Sequence, residues 1–300
     1  MSESSSGLQH KINSAGDLKS VVRTMKAMAA ANINQYENAV HALDDYYRTV
    51  QLGLMAYFCN VGKQVASAHF KHSSTAAKKS KTGIIVIGSD QGLVGQFNDT
   101  LVSFMTTNIA NMAGDKLIWT VGERIQAHLE DFEYPLQRPF TLPNSIDSVT
   151  TLVTDILQEI HLQQQTNQLQ EVYLFFNRTL ANAQYEPTCQ RILPFDNVWQ
   201  QTILAEPWPT SCRPQLLANT EITFGALIGE YLFTSLYRAS IESLASENAS
   251  RLIAMQRAEK NIEEIQSLLS RQYHRRRQGA IDEELSDLVG GFEALIGVTE

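Results

Sequence analysis

Cysteine is scarce in this chain of 300 residues, and the three cysteines, Cys59, Cys189 and Cys212, lie far apart. None of them forms the CxxC spacing of a zinc site or a redox motif, and an odd number at such spacings does not suit a disulfide framework. This cysteine usage is typical of a reducing compartment. We expect no metal site and no disulfides.

Long apolar runs are also missing. The longest, around Phe224 to Tyr237, is interrupted by Glu230 and falls short of the roughly 18 uninterrupted residues that a membrane span requires. The N-terminus, Met1 to Gly7, is polar and lacks the basic start and apolar stretch of a secretory signal, so no processing signal is expected. Any membrane association is predicted to be indirect.

Basic residues are outnumbered by acidic ones, 24 to 32, which gives a formal net charge of −8. This balance argues against a protein whose main task is to hold nucleic acid, because phosphate binding needs a basic surface. The run His274 to Arg277 is short and predicts a solvated helix face. A partner, if there is one, is expected to be a protein.

No proline occurs after Pro214, and the last segment predicts one continuous helix from about residue 220 to about residue 295. Another helix, from about 14 to about 60, is predicted near the N-terminus. Both carry apolar or small residues in steps of three and four, the stripe of a coiled coil. In the first helix the stripe is Leu18, Val22, Met25, Ala29, Asn32, Tyr36, Val40, Leu43, Tyr47, Val50, Leu54 and Tyr57. In the last helix it is Ile241, Ala245, Asn248, Leu252, Met255, Ala258, Ile262, Ile265, Leu269, Ile281, Leu285, Leu288, Phe292 and Leu295.

Two such stripes at opposite ends of a chain suit one another as an antiparallel pair, since each alone would expose an apolar face to water. The last helix is predicted to be the longer, so its C-terminal tip extends beyond its partner. The apolar residues of that tip then need a third surface, which an assembly supplies and a lone domain does not.

The central segment predicts a small, mainly parallel α/β sheet. Short buried-type strands stand at 83–87, 117–121 and 172–176, with a weaker one near 191–193, and helices fit at about 98–112, 122–130 and 146–165. The segment from Pro187 to Pro214 is proline-rich, and Glu206 to Pro209 are predicted to form an extended loop before the last helix. The fold class is thus mixed α/β and α+β, a long antiparallel coiled coil plus a small Rossmann-like domain. The predicted domains are 12–70 for the first coiled-coil helix, 80–214 for the α/β domain and 216–297 for the last helix.

A glycine-rich turn, residues 88–98, follows the first strand directly. Its glycines do not spell GxGxxG and no Lys-Ser or Lys-Thr follows, so a tight turn is favoured over a phosphate cradle. In that interpretation Asp90 and Asn98 cap the turn and the next helix. No catalytic constellation can be assigned from linear order, and no bound cofactor is expected.

Four blocks together resemble the gamma subunit of F-type ATP synthases, from about Ile12 to Leu295. The first is Val22 to Asn32, which is similar to the family's Lys-rich and Met-rich stretch ending in Val-Ala-Ala-Ser. The second is the Ser-Asp-x-Gly-Leu-x-Gly-x-x-Asn turn, Ser89 to Asn98, and the third is the strand 173–177 with Glu206-Pro207-Trp208-Pro209. The fourth is Glu247 to Met255, followed by Ala258, Asn261, Arg277, Gln278, Ile281, Glu284, Leu285, Val289, Gly290 and Gly291. Departures at Gln91, Val94, Gln96, Lys26 and Gly291 to Glu293 suggest a divergent bacterial branch.

The resemblance implies a non-catalytic rotor shaft that stands inside a ring of alternating alpha and beta subunits and couples ion flow to ATP synthesis or hydrolysis. Its α/β domain is the foot, beside the epsilon subunit and on the membrane ring of c subunits, at the cytoplasmic face of the bacterial inner membrane. The residues implied for beta contact are Arg277 and Gln278, for the head sleeve Leu288, Phe292, Leu295 and Ile296, and for the ring and epsilon side Glu206, Pro207 and Trp208. The rival hypothesis is a nucleotide-binding α/β enzyme with coiled-coil dimerisation arms.

Overall fold

The computed structural model describes residues 5–296 with several gaps. The residues left out within that range are 71–80, 111, 113, 131, 133, 144, 168, 181–183, 213–214 and 217–218. The side chains of 62–70, 167 and 291–296 are likewise outside the description. The elements run in the order α1 (Ser5–Phe70), β1 (Lys81–Ile87), α2 (Phe97–Ala110), β2 (Asp115–Val121), α3 (Glu123–Glu130), α4 (Ile146–Asn167), β3 (Leu169–Thr179), β4 (Tyr185–Leu193), α5 (Asn197–Ala205) and α6 (Thr220–Ile296).

Both long helices are present, as their periodicity predicts. Helix α1 begins earlier and ends later than the predicted span of about 14 to 60. Helix α6 agrees closely with its prediction. The side chain of Asn219 defines its start, because the Asn219 Oδ1 accepts a 2.9 Å hydrogen bond from the backbone N–H of Glu221, which would otherwise lack an intrahelical partner.

The chain forms two compact units, one from residues 30–251 and the other from the described parts of 1–29 and 252–300. Within residues 30–251, Asp44 lies 3.2 Å from Arg238, and further along α1 the Tyr46 hydroxyl donates a 2.6 Å hydrogen bond to Glu230. Residue numbers rise along α1 as they fall along α6. The two helices are therefore antiparallel in this unit.

The other unit also pairs α1 with α6 in antiparallel fashion, through Lys19–Glu263 and Arg23–Glu259 ion pairs at 3.0 and 2.7 Å. Here the predicted stripe is partly wrong, because Leu18 is 58% exposed and Ile265 is 53% exposed. The stripe prediction assumed that apolar residues line the contact, or seam, between α1 and α6. Near Leu18, the seam position is occupied instead by the long side chain of Lys19, whose ammonium group is paired with Glu263.

Among the described residues, four strands form one sheet in the order β2-β1-β3-β4. Strand β1 pairs parallel with both β2 and β3, and β4 pairs antiparallel with β3. Strand β1 is buried almost throughout, as expected for a central strand covered on both faces. The prediction of a small, mainly parallel sheet is confirmed, and the weak strand near 191–193 is the end of a longer strand.

Hydrophobic clusters cover both faces of the sheet. One cluster joins alternate strand residues such as Ile85, Trp119 and Leu174 to α4 and to α6. The other joins Ile84 and Phe175 to α2 and α3. Neighbouring residues of a strand point to opposite faces, so the continuous apolar runs supply both layers. One layer thereby fixes the middle of α6 against the sheet.

The proline-rich segment that starts at Pro187 contains a helix that was not predicted. Its first residues belong to β4, and α5 forms between that strand and the loop that starts at Glu206. The Asp196 side chain accepts a 2.8 Å hydrogen bond from the Trp199 backbone N–H and so caps α5. The prolines permit this because none lies inside the helix, and Pro194 precedes its start.

Candidate functional site: the joint between helix α6 and the sheet

Three serines on one side of α6 fasten this helix to the α/β domain. The Ser243 hydroxyl donates a 3.2 Å hydrogen bond to the Ile87 carbonyl, and the Ser246 hydroxyl donates one of 2.9 Å to the Asn177 carbonyl. The Ser250 hydroxyl donates one of 2.5 Å to a carbonyl of the glycine-rich turn, that of Val94. Steps of three and four place all three serines on one face of the helix. We call this set of contacts the joint.

The joint supplies hydrogen-bond donors for backbone carbonyls that have no partner within the sheet. Ile87 ends β1, and Asn177 lies near the end of β3, where buried carbonyls need a hydrogen bond from outside the ladder. All ten residues of α6 from 241 to 250 are buried, and most of them are small or polar. Small side chains let the helix approach closely enough for its hydroxyls to reach the carbonyls.

The glycine-rich turn is held by its own side chains. The Ser89 backbone N–H donates to Asn98 Oδ1 at 3.1 Å, and Asn98 Nδ2 donates to Ser89 Oγ at 2.9 Å. Asp90 accepts a 3.0 Å hydrogen bond from the Glu123 backbone N–H. Asn98 thus caps the turn, as predicted for this pair of residues, whereas Asp90 caps α3, whose start lies at the same end of the sheet because β1 and β2 are parallel.

Two glycines explain the shape of this turn. A Cβ on Gly88 would lie 2.3 Å from the Ile125 Cβ, so only glycine allows α3 to approach the end of β1. Gly95 has a φ of 63°, in the left-handed region that favours glycine. The glycines therefore serve close packing and chain reversal.

A buried ion pair lies beside the joint. The Glu247 Oε1 and the Arg251 Nη2 are 2.6 Å apart, and both side chains are largely buried. Burial raises the pKa of Glu247 from 4.5 to about 7, with Asp90 adding to the rise and Arg251 opposing it. Tyr36 of α1 faces the same pair, and its own pKa is raised by burial and by Glu247. Glu247 of α6 therefore interacts electrostatically with Tyr36 of α1 and with Asp90 of the turn.

Next to this pair the two long helices share an amide contact. Asn32 Nδ2 donates to Asn248 Oδ1 at 3.3 Å, and Asn248 Nδ2 donates to the Leu244 carbonyl at 2.8 Å. Both asparagines stand at stripe positions in the sequence. A polar pair among apolar neighbours fixes the register of two helices, because any slip leaves the amides without partners.

In the unit that contains 252–296, an acidic side chain of α6 is held by two cations of α1. Glu259 lies 2.7 Å from Arg23 and 2.5 Å from Lys26. Hydrogen bonds from Arg23 and then Lys26 lower the pKa of Glu259 from 4.5 to about 2. Lys26 is one of the departures from the family pattern noted above, and here it has a clear structural role.

The residues expected to meet partners lie on open surface where they are described. Arg277 and Gln278 are exposed on α6, and Leu288 is 70% exposed. The side chains of Phe292, Leu295 and Ile296 lie outside the described residues, although their backbone is helical. The contacts assigned to these six positions stay predictions.

The residues expected on the ring and epsilon side follow α5 directly. Glu206 is the residue after the helix, and both Glu206 and Pro207 are exposed. The Trp208 indole is half-buried against an aromatic cluster that includes Phe58 and Trp199, and its N–H donates to the Cys212 carbonyl at 2.9 Å. Their partner contacts remain predictions.

Sequence reasoning missed the serines and the ion pair of the joint as functional elements, although it quoted Glu247, Ser250 and Arg251 within a family block. A signal was present, since residues 242, 243, 246 and 250 are polar within a segment whose stripe is predicted to pack against another surface. Among the described residues, no cluster of His, Cys, Asp and Glu could hold a metal ion. In the same part of the chain, no helix is long and apolar enough to span a bilayer.

Comparison with known proteins gives consistent results. A family model described as ATP synthase matches residues 4–295. The ATP synthase gamma chain of Brevibacillus brevis is 27% identical over 296 residues, which cover 96% of this chain and 97% of that protein. The ATP synthase gamma chain of Ruminiclostridium cellulolyticum is 23% identical over 291 residues, covering 96% and 97%.

Solved structures share the fold. A chain of the Tetrahymena thermophila mitochondrial ATP synthase central stalk and c-ring has a TM-score of 0.55 at 20% identity, covering 79% of this chain and 99% of that one. A chain of the Euglena gracilis mitochondrial ATP synthase OSCP/F1/c-ring assembly has a TM-score of 0.53 at 17% identity, covering 93% and 95%.

Two long helices and a small α/β domain give the fold that this chain shares with the solved central-stalk chain, and its class is that of helical stalk proteins. Within that class the family model matches residues 4–295, and the two gamma chains above match 96% of this chain. The chain belongs to the ATP synthase gamma family.

Proposed function

We propose that this chain is the central rotor shaft of an F-type ATP synthase, which couples transmembrane ion flow to ATP synthesis or hydrolysis at the alpha and beta subunits. The match of the family model to residues 4–295 carries this proposal. The chain itself is a non-catalytic subunit. No specific observation favours the alternative of a nucleotide-binding enzyme with dimerisation arms.

The mechanism depends on differential contact. A shaft that touches one catalytic subunit in a given way at a time favours a different nucleotide state at each site, and rotation imposes the order of those states. Torque enters through the α/β domain and leaves through the long helices. The joint, through Ser243, Ser246 and Ser250, is the group of contacts that would carry this torque from the sheet to α6.

At the other end of α6 we assign partner contacts from exposed residues. Arg277 and Gln278 would meet a loop of one beta subunit, where a guanidinium can form paired hydrogen bonds with a carboxylate. Leu288, Phe292, Leu295 and Ile296 would turn within the apolar sleeve of the alpha and beta ring. The 70% exposure of Leu288 supports this assignment, because such a side chain gains from a partner surface.

At the foot, Glu206, Pro207 and Trp208 would face the c-ring and the epsilon subunit. The exposure of Glu206 and Pro207 directly after α5 supports this assignment. In domain terms, 12–70 and 216–297 would form the antiparallel coiled coil, and the Rossmann-like domain 80–214 the foot. The chain would be a peripheral membrane protein at the cytoplasmic face of a bacterial inner membrane.

Co-expression with the alpha and beta subunits of the same genome tests the proposal. We expect a complex that co-purifies with ATPase activity. In that complex, replacing both Arg277 and Gln278 by Ala should lower ATPase activity by at least about fivefold, within the usual range of coupling free energies. Arg257→Ala, at another exposed arginine of α6, should leave it unchanged. A chain that stays apart from alpha and beta but hydrolyses nucleotide alone would overturn the rotor assignment.

A further inference from the structure

Three consecutive arginines of α6, Arg275, Arg276 and Arg277, point in different directions at one level of the helix. An α-helix turns by about 100° and rises by about 1.5 Å per residue, so the three side chains leave the axis at about 0°, 100° and 200° within roughly 3 Å of height. Each of them is exposed, as predicted for a solvated helix face, and so is every other residue from 274 to 290. We call these three residues the arginine collar.

The arginine collar has no acidic partner among the described residues. None of its three guanidiniums forms an ion pair there, whereas Arg251 of the same helix is paired with Glu247 at 2.6 Å. The sequence explains this difference. Neighbours on one helix face stand three or four residues apart, and none of the residues at those distances from the collar is acidic. The next carboxylate along the helix is that of Asp282, five residues beyond Arg277.

Space for an acidic side chain lies beside two of the three guanidiniums. A cleft of about 500 Å³ is lined by Leu8 of α1 and by Gln272, Arg275 and Arg276 of α6. Its described walls carry positive charge and no carboxylate, so they attract an anionic group. Arginine suits a carboxylate in particular, because its planar guanidinium can donate two parallel hydrogen bonds to the two oxygens.

We propose that the arginine collar binds carboxylate side chains from at least two different subunits of the catalytic ring at the same time. This inference rests on the rotor function proposed above, in which α6 stands inside a ring of alternating alpha and beta subunits. Arg275 and Arg277 point to nearly opposite sides of the helix, about 160° apart, whereas one subunit of a ring faces only one side. If Arg277 meets one beta subunit, Arg275 therefore faces another part of the ring.

Contacts on opposite sides of the helix would centre the shaft. A single ion pair draws α6 toward one wall of the ring, whereas pairs on opposite sides pull against one another. Ion pairs at exposed positions are individually weak, so each pair can break and form again with another subunit as the shaft turns. The collar would thus position α6 within the ring, in addition to the contact of Arg277 with one beta loop.

Cross-linking without a spacer counts the subunits that the collar touches. A carbodiimide joins a lysine amine directly to a carboxylate in contact with it, and it does not act on a guanidinium. Arg275→Lys, Arg277→Lys and the double variant keep the positive charge and would each be assembled with alpha and beta subunits before treatment. The complex of the unmodified chain gives the background from its other lysines.

The expected result is a difference in the number of linked subunits. Each single variant should gain a product in which this chain is joined to one ring subunit. The double variant should also gain products that contain two ring subunits for each copy of this chain, seen by denaturing gel electrophoresis and assigned by mass spectrometry of the linked peptides. Arg257→Lys, at an exposed arginine of α6 outside the collar, should give the background pattern.

A double variant that links no more than one ring subunit per chain would overturn the proposal. Single variants that give only the background pattern would overturn it as well. Failure of the unmodified chain to assemble with alpha and beta is a separate outcome, because it contradicts the rotor function itself. Assembly of the unmodified chain, together with background cross-linking in every variant, contradicts the collar contacts alone.

Discussion

The Ser250 hydroxyl and the Val94 carbonyl are 2.5 Å apart, although 156 residues separate them in the chain. This hydrogen bond ties the C-terminal helix to the turn that follows the first strand. Together with the bonds from Ser243 and Ser246, it makes the end of the sheet and the middle of α6 one packed region. A force applied to the α/β domain is thereby carried into the helix.

Ser250→Ala removes this bond and leaves the Val94 carbonyl without its donor. The variant should lose about 1 to 3 kcal/mol in free energy of unfolding, the cost of a buried polar group left unpaired. Urea unfolding followed by circular dichroism measures this. Ser286→Ala, at an exposed serine of the same helix, should change stability by less than about 0.5 kcal/mol. Equal effects in the two variants would mean that the joint adds no stability.

Gly88→Ala should be destabilising for a steric reason. The added Cβ would lie 2.3 Å from the Ile125 Cβ, so α3 must move away from the end of β1. We expect a loss of about 1 to 3 kcal/mol, as for other overpacked sites. Gly225→Ala is the matched control, because nothing lies within 4 Å of its Cβ and alanine favours a helix. The control should gain stability, and a loss of the same size in both variants would refute the steric account.

The buried Glu247 should make stability fall as pH rises. Its pKa is raised by folding, from 4.5 to about 7, so its contribution is full below pH 4.5 and is lost as pH rises through 7. Arg251, Asp90 and Tyr36 are the charged or titratable groups that face it. Urea unfolding of Glu247→Gln between pH 4.5 and 7 should show a flatter profile than wild type. Glu283→Gln, at an exposed carboxylate of α6, should keep the wild-type slope, and a Glu247→Gln profile parallel to wild type would contradict this prediction.

Glu259 should have the opposite dependence. Hydrogen bonds from Arg23 and Lys26 lower its pKa to about 2, so its contribution is present above pH 4.5 and is lost as pH falls through 2. The melting temperature of the wild type should fall as pH is lowered from 4.5 to 2, and the fall should be smaller in Glu259→Gln. Salt should reduce the difference, because this pair is at the surface. If the difference in melting temperature between wild type and Glu259→Gln grew as pH fell below 4.5, the prediction would be contradicted.

The sequence predicts the long helices and the sheet because their signals are local. Steps of three and four mark α1 and α6, and short β-branched runs mark the strands. Helix α5 was missed because the surrounding prolines suggest an extended loop, although Asp196 three residues before Trp199 is an N-cap signal. The loop propensity of the prolines was given more weight than the single capping residue, Asp196.

The joint could not be predicted in the same way. Ser243, Ser246 and Ser250 bond to carbonyls 69 to 156 residues away, and any helix surface can carry serines. The seam position of Lys19 was likewise hidden, because only the location of Glu263 on the partner helix makes a lysine suitable there. Hydrogen bonds and ion pairs between residues far apart in the sequence depend on tertiary packing, so the local sequence pattern does not predict them.

Single-molecule rotation tests the central claim most directly. The complex of this chain with its alpha and beta subunits would be fixed to a surface through the alpha and beta ring, with a particle attached to the exposed Cys212 of the shaft. The rotor assignment predicts rotation of the particle in one direction when ATP is added. A complex that hydrolyses ATP while the particle stays still, or a chain that never joins the ring, would contradict it.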